Sequence, residues 1–595
     1  MKILRTALLP ALSALSLFAV VPDGSAVYRD HCASCHAAPA GRMPSKDAMR
    51  DLSTRRIVNS LESGTMFMPG RRLTPEERRS VAEYLTGKSF RIETSSKAGY
   101  CVDSRPIEPK SAVWAGWSVD VGNARYQPNG GLTSADLPNL KLKWAFGFPE
   151  EVMAFAQPSV FGGRVFVGSA GGIVYSLDAA TGCIIWEHST EAAVRTAIVI
   201  APRSAGHYTV WFGDLHSNVY AVDAATGKLL WKKKLDVHPS ARITAAPALH
   251  DGTLYVPVSS FEEGMASHPA YACCTFRGSV AALNALTGER IWQTFTVGRP
   301  MLVKGRNSQG ARRFGPSGAA IWSTPTVDAK RGLLYVTTGD NYAEPSTPLS
   351  DAVIALRLKS GTVVWSKQVT LNDRWNAACL GDKVNCPPDA GPDHDFGAPA
   401  ILTRTAAGKD ILIAAQKSGV VYALDPDRRG EIVWKTAAGK GGPLGGIQWG
   451  HAVDYRNVYA PLSDVSLSQM TSTGGGLVAL RIEDGQQVWK APPAVCGERT
   501  PCSPAQMAAA TAIPGAVLSG ARDGVMRAYS SENGSVLWSY DTFRQFQTTN
   551  DVDARGGAID GPGPIVAGGM VLFNSGYALW NGRGGNVLLA FSLPD

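Results

Sequence analysis

Beyond Val21 the 595-residue sequence contains no apolar run near the length that a membrane-spanning helix needs, about 20 residues. A polytopic membrane protein is thereby excluded. Charge is scarce too: only 18% of residues are Asp, Glu, Lys or Arg, and the net excess is +8. The basic residues are scattered, so the clustered positive footprint of a nucleic-acid binder is missing. Ten cysteines are few for this length, and they offer no pair of neighbouring Cys-x-x-Cys sites, which rules out a zinc quartet. What the chain has in quantity is turn residues and indole. Its 63 Gly, 37 Pro and 15 Trp describe a large, turn-rich globular protein rather than a disordered or helical one.

The amino terminus reads as an export signal. Lys2 and Arg5 lead into an apolar run from Ala7 to Val21 and then into Gly24-Ser25-Ala26, a small-residue cleavage site. This predicts a leader over 1–26, a mature chain from Val27, and a bacterial periplasmic location. Directly after it stands Cys32-Ala33-Ser34-Cys35-His36. A Cys-x-x-Cys-His run attaches haem c covalently, with thioethers from Cys32 and Cys35 and an imidazole ligand to iron from His36. The loop Gly64-Thr65-Met66-Phe67-Met68-Pro69 supplies a thioether for the second axial position, with Met66 favoured over Met68 and Met43 third. A helix is expected from Pro75, capped by Thr74, to about Leu85. These elements form a small α-helical cytochrome c domain over 27–88, followed by a linker over 89–113.

From Trp144 onward the chain repeats itself. Gly172 to Trp186 recurs as Ser217 to Trp231, Gly278 to Trp292, Asp351 to Trp365, Gly419 to Trp434, Gly475 to Trp489 and Gly524 to Trp538. Each copy reads strand, Asp/Gly turn, strand ending in Trp. With Trp144 there are eight such tryptophans, while the last strand, Gly585-Asn586-Val587-Leu588-Leu589-Ala590-Phe591, has no partner of its own. An all-β eight-bladed propeller over 114–595 follows, with its two ends sharing one blade. The longest insertions fall between Trp231 and Trp489 and are expected on one face.

The repeat Ala-x-Asp-Ala-x-Thr-Gly-x-x-x-Trp resembles that of the pyrroloquinoline quinone (PQQ) dehydrogenases, and the added haem domain resembles the polyvinyl-alcohol dehydrogenases in particular. Further support comes from Cys273-Cys274-Thr275-Phe276-Arg277-Gly278, Gly315-Pro316-Ser317-Gly318-Ala319-Ala320-Ile321-Trp322, Thr338-Gly339-Asp340-Asn341-Tyr342 and Cys502-Ser503-Pro504-Ala505-Gln506. The resemblance implies PQQ stacked between Trp322 and a vicinal Cys273–Cys274 disulfide, although the family's disulfide sits in an earlier blade. It also implies Arg195, Arg277 and Lys417 facing the cofactor, Thr244 and Ser259 contacting it through hydroxyls, and Gln448 in place of a family Asn. Calcium would be held by Glu262, with Glu263 as a near alternative, and by Asn341, which suits a cation that takes hard oxygen ligands. At the family's catalytic base this sequence departs from the pattern. Strict counting lands on Ser346, so Asp351 and then Asp340 are the candidates.

Pairs Cys379/Cys386 and Cys496/Cys502 read as local disulfides, and Cys101/Cys183 as a bridge from linker to propeller. The resemblance then implies a periplasmic quinohaemoprotein that oxidises a secondary alcohol, the repeating hydroxyls of polyvinyl alcohol, and hands electrons through haem c to an external cytochrome c. A small alcohol or polyol is the alternative substrate. Two other classes compete: a non-catalytic propeller scaffold, against which the haem motif stands, and a haem-bearing sensor or electron carrier, which the missing aligned Asp favours.

Overall fold

The computed structural model describes residues 22–39, 43–62, 66–70, 72–90, 99–103, 105–109, 113–298, 301–466, 473–499 and 502–594. Residues 1–21, which carry most of the expected leader, lie outside these. The expected cleavage point after Ala26 falls within a described helix, Gly24–His31. No helix among the described residues is long and apolar enough to cross a membrane.

Short helices build the amino-terminal domain. The longest, Pro75–Thr86, starts at a reciprocal cap in which Thr74 Oγ1 accepts from the Glu77 N–H and Glu77 Oε2 accepts from the Thr74 N–H, and it stops at Gly87 with φ +68°. Val81, Ala82 and Leu85 on its buried face join Val27, Tyr28, Ile57, Val58 and Leu61 in one core. Gly24 is glycine because a Cβ there would lie 2.1 Å from the Ser80 carbonyl oxygen.

The remainder is a ring of eight antiparallel sheets, seven of them four-stranded and the third, which gains a short extra strand at Ala241–Arg242, five-stranded. Blade one is Ser159–Phe161, Arg164–Gly168, Ile173–Asp178 and Ile184–Ser189, and the seven others repeat its order. Blade eight is composite: Ile565–Ala567, Met570–Ser575 and Val587–Ser592 are joined by Lys141–Gly147, which pairs with Val587–Ser592 and closes the ring as expected. A single device explains the repeat. The Asp178 carboxylate accepts from the Ala180 and Thr181 N–H groups and tightens the turn, and Gly182 then takes φ +75°. A Cβ on Gly182 would meet the Trp144 ring at 2.8 Å, so the glycine is the seat of the preceding blade's indole. That indole donates Nε1–H to Ala179 O at 3.0 Å. Trp186 on Gly227 and Ala224 O repeats the contact, as does Trp231 on Gly288 and Ala285 O. The tryptophans therefore staple blade to blade, a packing role.

Four disulfides form among the described residues: Cys101–Cys183, Cys273–Cys274, Cys379–Cys386 and Cys496–Cys502. The first ties the linker to blade one, where Tyr100 also bridges to Ile184.

Candidate active site

Loops between the second and third strands of each blade, and those passing from one blade to the next, open on the same face. Nearly every residue singled out from the sequence stands in one of them, and the structure brings several together at the centre.

Asp340 lies in the second-to-third-strand loop of blade four, Asp393 and Asp395 in the passage to blade five, and Lys417 in the corresponding loop of blade five. Carboxylate oxygens of the three acids lie within 4.8 Å of one another, and all three are buried. Lys417 Nζ donates to Asp393 Oδ1 at 2.7 Å and Asp395 Oδ2 at 3.0 Å. Burial alone would lower the Lys417 pKa, but the two carboxylates outweigh it and hold the ammonium charged. Asp340 is pushed well above the usual carboxylate range by burial and then by Asp395 and Asp393, and neither of its oxygens has a hydrogen-bond partner. Glu263 adds a further negative field at Asp340, Asp393 and Lys417. One ammonium facing this many buried acids leaves negative charge uncompensated, which is the donor set a hard cation requires.

The two calcium ligands expected from the sequence, Glu262 and Asn341, both carry hydrogen bonds. Glu262 accepts from the Thr275 and Phe276 N–H groups and from the Tyr271 hydroxyl, and so organises the loop that carries the cysteine pair. Asn341 Oδ1 accepts from the Thr347 N–H, and its amide donates to Ser317 O. Of the two expected bases, Asp340 belongs to the acidic centre. Asp351 is fully buried at φ +48° with both oxygens unpartnered, and burial followed by Asp373, Asp395 and Asp393 raises its pKa strongly. Asp393 and Asp395 escaped the sequence reading. Their signal was Pro392-Asp393-His394-Asp395-Phe396-Gly397, two acids one residue apart in a segment that the blade repeat does not use.

Trp322 borders this centre, with Lys417 Nζ 5.6 Å from its ring. Gly397 backs the indole so closely that a Cβ would lie 2.1 Å from it. Cys273, Cys274, Phe276 and Tyr342 belong to the apolar cluster on which Trp322 packs, so the expected two walls share one neighbourhood. Trp449 meets Trp322 edge to face at 5.2 Å, lies under the Arg195 guanidinium at 3.9 Å, and donates to Asp560 Oδ1 at 2.7 Å. One Arg195 nitrogen is buried without a partner. Thr244 and Ser259 bond each other through their hydroxyls at 2.8 Å, and Gln448 donates to Gly445 O. Arg277 is directed elsewhere: it donates to Val297 O and stacks over Phe295 at 3.9 Å. A planar polyanionic quinone with a divalent cation fits this set: Trp322 offers a flat wall, Arg195 a buried cationic nitrogen without a partner, and Asp340 orphaned carboxylate oxygens for the cation.

In the haem domain Cys32 and Cys35 are the free cysteines, and His36 is 5% exposed. Because a carbonyl can only accept, the 2.8 Å contact of Pro44 O with Nδ1 fixes the proton there and leaves the Nε2 lone pair for iron. Met66 packs on the same core as Cys32, whereas Met43 is 42% exposed and the Met68 side chain lies outside the described residues. Covalent haem c fits this arrangement.

Comparison with known proteins agrees. The glucose/ethanol/alcohol dehydrogenase β-propeller domain matches residues 114–438, and the cbb3-type cytochrome c oxidase subunit III domain matches residues 19–85. Residues 417–545 also match the outer membrane protein assembly factor BamB. The crystal structure of the quinohaemoprotein alcohol dehydrogenase from Comamonas testosteroni superposes with a TM-score of 0.60 at 19% identity, over 81% of this chain and 80% of that one, which shows a common fold. Propeller, haem domain and relatives together define a quinohaemoprotein alcohol dehydrogenase, with PQQ and haem c as its cofactors. A polyvinylalcohol dehydrogenase from a Pseudomonas species is 39% identical over 96% of this chain and 94% of its own, and that of Sphingopyxis sp. (strain 113P3) is 37% identical over 96% and 93%. The chain belongs to the polyvinyl alcohol dehydrogenase family.

Proposed function

We propose that the protein oxidises the secondary hydroxyls of polyvinyl alcohol to ketones in the periplasm and delivers the electrons to an external cytochrome c. The observation that carries this reading is the buried centre of Asp340, Asp393, Asp395 and Lys417 beside Trp322, on the face whose blade-one loop bonds the haem domain. When bound, PQQ accepts the hydride equivalent, calcium polarises its reactive carbonyl, and haem c passes the electrons on singly.

The residues divide the remaining work. Asp340, with two unpartnered oxygens, and Asp393 would hold the calcium, with Glu263 adding to the negative field. Asp395 takes the alcohol proton: at 5% it is the most exposed acid of the trio, whereas Asp340 and Asp351 are at 1% and 0%. Lys417 fixes the Asp395 carboxylate through a hydrogen bond of 3.0 Å to Oδ2. Trp322 and the Cys273–Cys274 disulfide would wall the quinone, and Arg195 would pair with one of its carboxylates.

The test is the visible spectrum of the oxidised holoenzyme with calcium, mixed anaerobically with polyvinyl alcohol and, separately, with a small secondary diol. Haem reduction by the polymer, followed by reoxidation with a soluble cytochrome c, supports the proposal. Reduction by the diol alone replaces the polymer with a small substrate. A haem that every alcohol leaves oxidised, yet dithionite reduces, makes the chain a carrier or sensor.

A further inference from the structure

Among the described residues, the helix Thr54–Glu62 and Ser53 just before it hydrogen-bond to the propeller. Ser53 Oγ donates to Glu150 Oε2 at 2.7 Å, Arg55 donates to Gly171 O at 3.1 Å, and Asn59 donates to Glu150 O at 3.5 Å. Beneath Arg55 lies Glu151, a carboxylate of 4% exposure. Its two oxygens accept from the Ala170 and Gly171 N–H groups at 2.9 Å, which shapes the blade-one loop into the surface on which Arg55 lands. Gly171 is the floor of the contact: a Cβ there would lie 2.7 Å from Glu151 Oε1 and 3.1 Å from Arg55 Nη2. An acid buried this deeply is expensive unless a cation compensates it, and Arg55 of the other domain is the nearby cation that acts on it.

The same propeller segment runs inward. Two residues past Glu151, Met153 and then Phe155 pack with Ala170, Ala193 and Tyr577, and Trp449 leans on that cluster. Trp449 in turn meets Trp322 edge to face. Packed side chains therefore run without a break from the haem-domain contact to the indole beside the acidic centre. Electron transfer falls steeply as the gap between donor and acceptor widens, so whatever seats the haem domain on this path controls how fast the haem is filled.

We propose that Arg55 and Glu151 form an interdomain latch, a pair of positioning residues that seats the haem domain on the propeller for internal electron transfer. Neither residue touches alcohol or quinone. The inference rests on the dehydrogenase reading above and is distinguished from it by taking electrons out of the enzyme in two places. A small phenazine dye collects them directly from the propeller, and the haem band reports those that cross the latch.

In the holoenzyme, Arg55→Ala, Glu151→Gln and Gly171→Ala are expected to slow single-turnover haem reduction at least tenfold while dye-linked turnover stays within twofold of wild type. Arg55→Lys should restore part of the rate. Small-angle scattering should show a larger radius of gyration in the three variants, a readout independent of turnover. Haem reduction at the wild-type rate in Arg55→Ala and Gly171→Ala, together with an unchanged radius of gyration, overturns the latch. If wild type itself shows no dye-linked turnover, the dehydrogenase reading fails instead, and scattering alone decides whether the pair seats the domain.

Discussion

At the residue scale the acidic centre is a problem in charge compensation. Lys417 bonds both Asp393 and Asp395, and removing it strands two buried carboxylates. Lys417→Ala and Asp395→Asn are each expected to lower kcat by about 100-fold or more, the usual span for losing a positioned proton acceptor or its partner. Steady-state kinetics on PQQ- and calcium-saturated enzyme checks this, and a change of less than about threefold in Asp395→Asn would move the base back to Asp340 or Asp351. In the haem domain, Met66→Leu should abolish the methionine-to-iron charge-transfer band and lower the haem potential, whereas Met68→Leu should leave both unchanged. The cytochrome c domain was legible in the sequence because haem attachment chemistry demands a contiguous motif. The acidic centre was legible only in part: Asp340 and Lys417 stood out, but Asp393 and Asp395 did not, because the centre is assembled from three loops that only ring closure brings together. Glu262 and Glu263 show the finer limit: adjacent acids on a single turn point to opposite tasks, one bonding backbone N–H groups and the other facing the acidic centre.

At the scale of elements, the indole seated on a glycine is what made the propeller readable from composition and repeat alone. Asp, Gly and Trp recur because every blade solves the same two problems, a tight turn and a flat seat, using local residues. Gly227 has φ +74°, and a Cβ there would lie 2.8 Å from the Trp186 ring. Gly227→Ala should therefore cost roughly 1–3 kcal/mol through backbone strain together with a displaced indole, read as a lower melting temperature with an unchanged haem spectrum. Substituting the exposed Gly206, where no atom lies within 4 Å, incurs only the strain of φ +74° and should cost less. The insertions follow no repeat, and with them went the loops that carry Asp393 and Asp395.

At the scale of the whole molecule, the interface of the two domains buries a titrating group. Burial lifts Glu151 from its ordinary 4.5 up to about 7, against the pull of Ser169 and Arg55. Because the folded pKa exceeds the unfolded one, the native state binds this proton more tightly. The stability it contributes is complete below about pH 4.5 and is lost as pH rises through about 7. The melting temperature of the wild type should accordingly fall more steeply across that window than that of Glu151→Gln, and equal slopes would remove Glu151 as the source.

The pairing of Lys141–Gly147 with Val587–Ser592 also sets a schedule. On a chain made from its amino end, the haem domain and seven blades can emerge and fold while the first propeller strand still waits, hundreds of residues away, for its partner. Such distant pairing is slow to find, and until it forms an apolar sheet edge stays open to other chains. A cell producing this protein has to guard that edge throughout synthesis, and a chain that stops short of Val587 carries an unguarded edge for as long as it lasts.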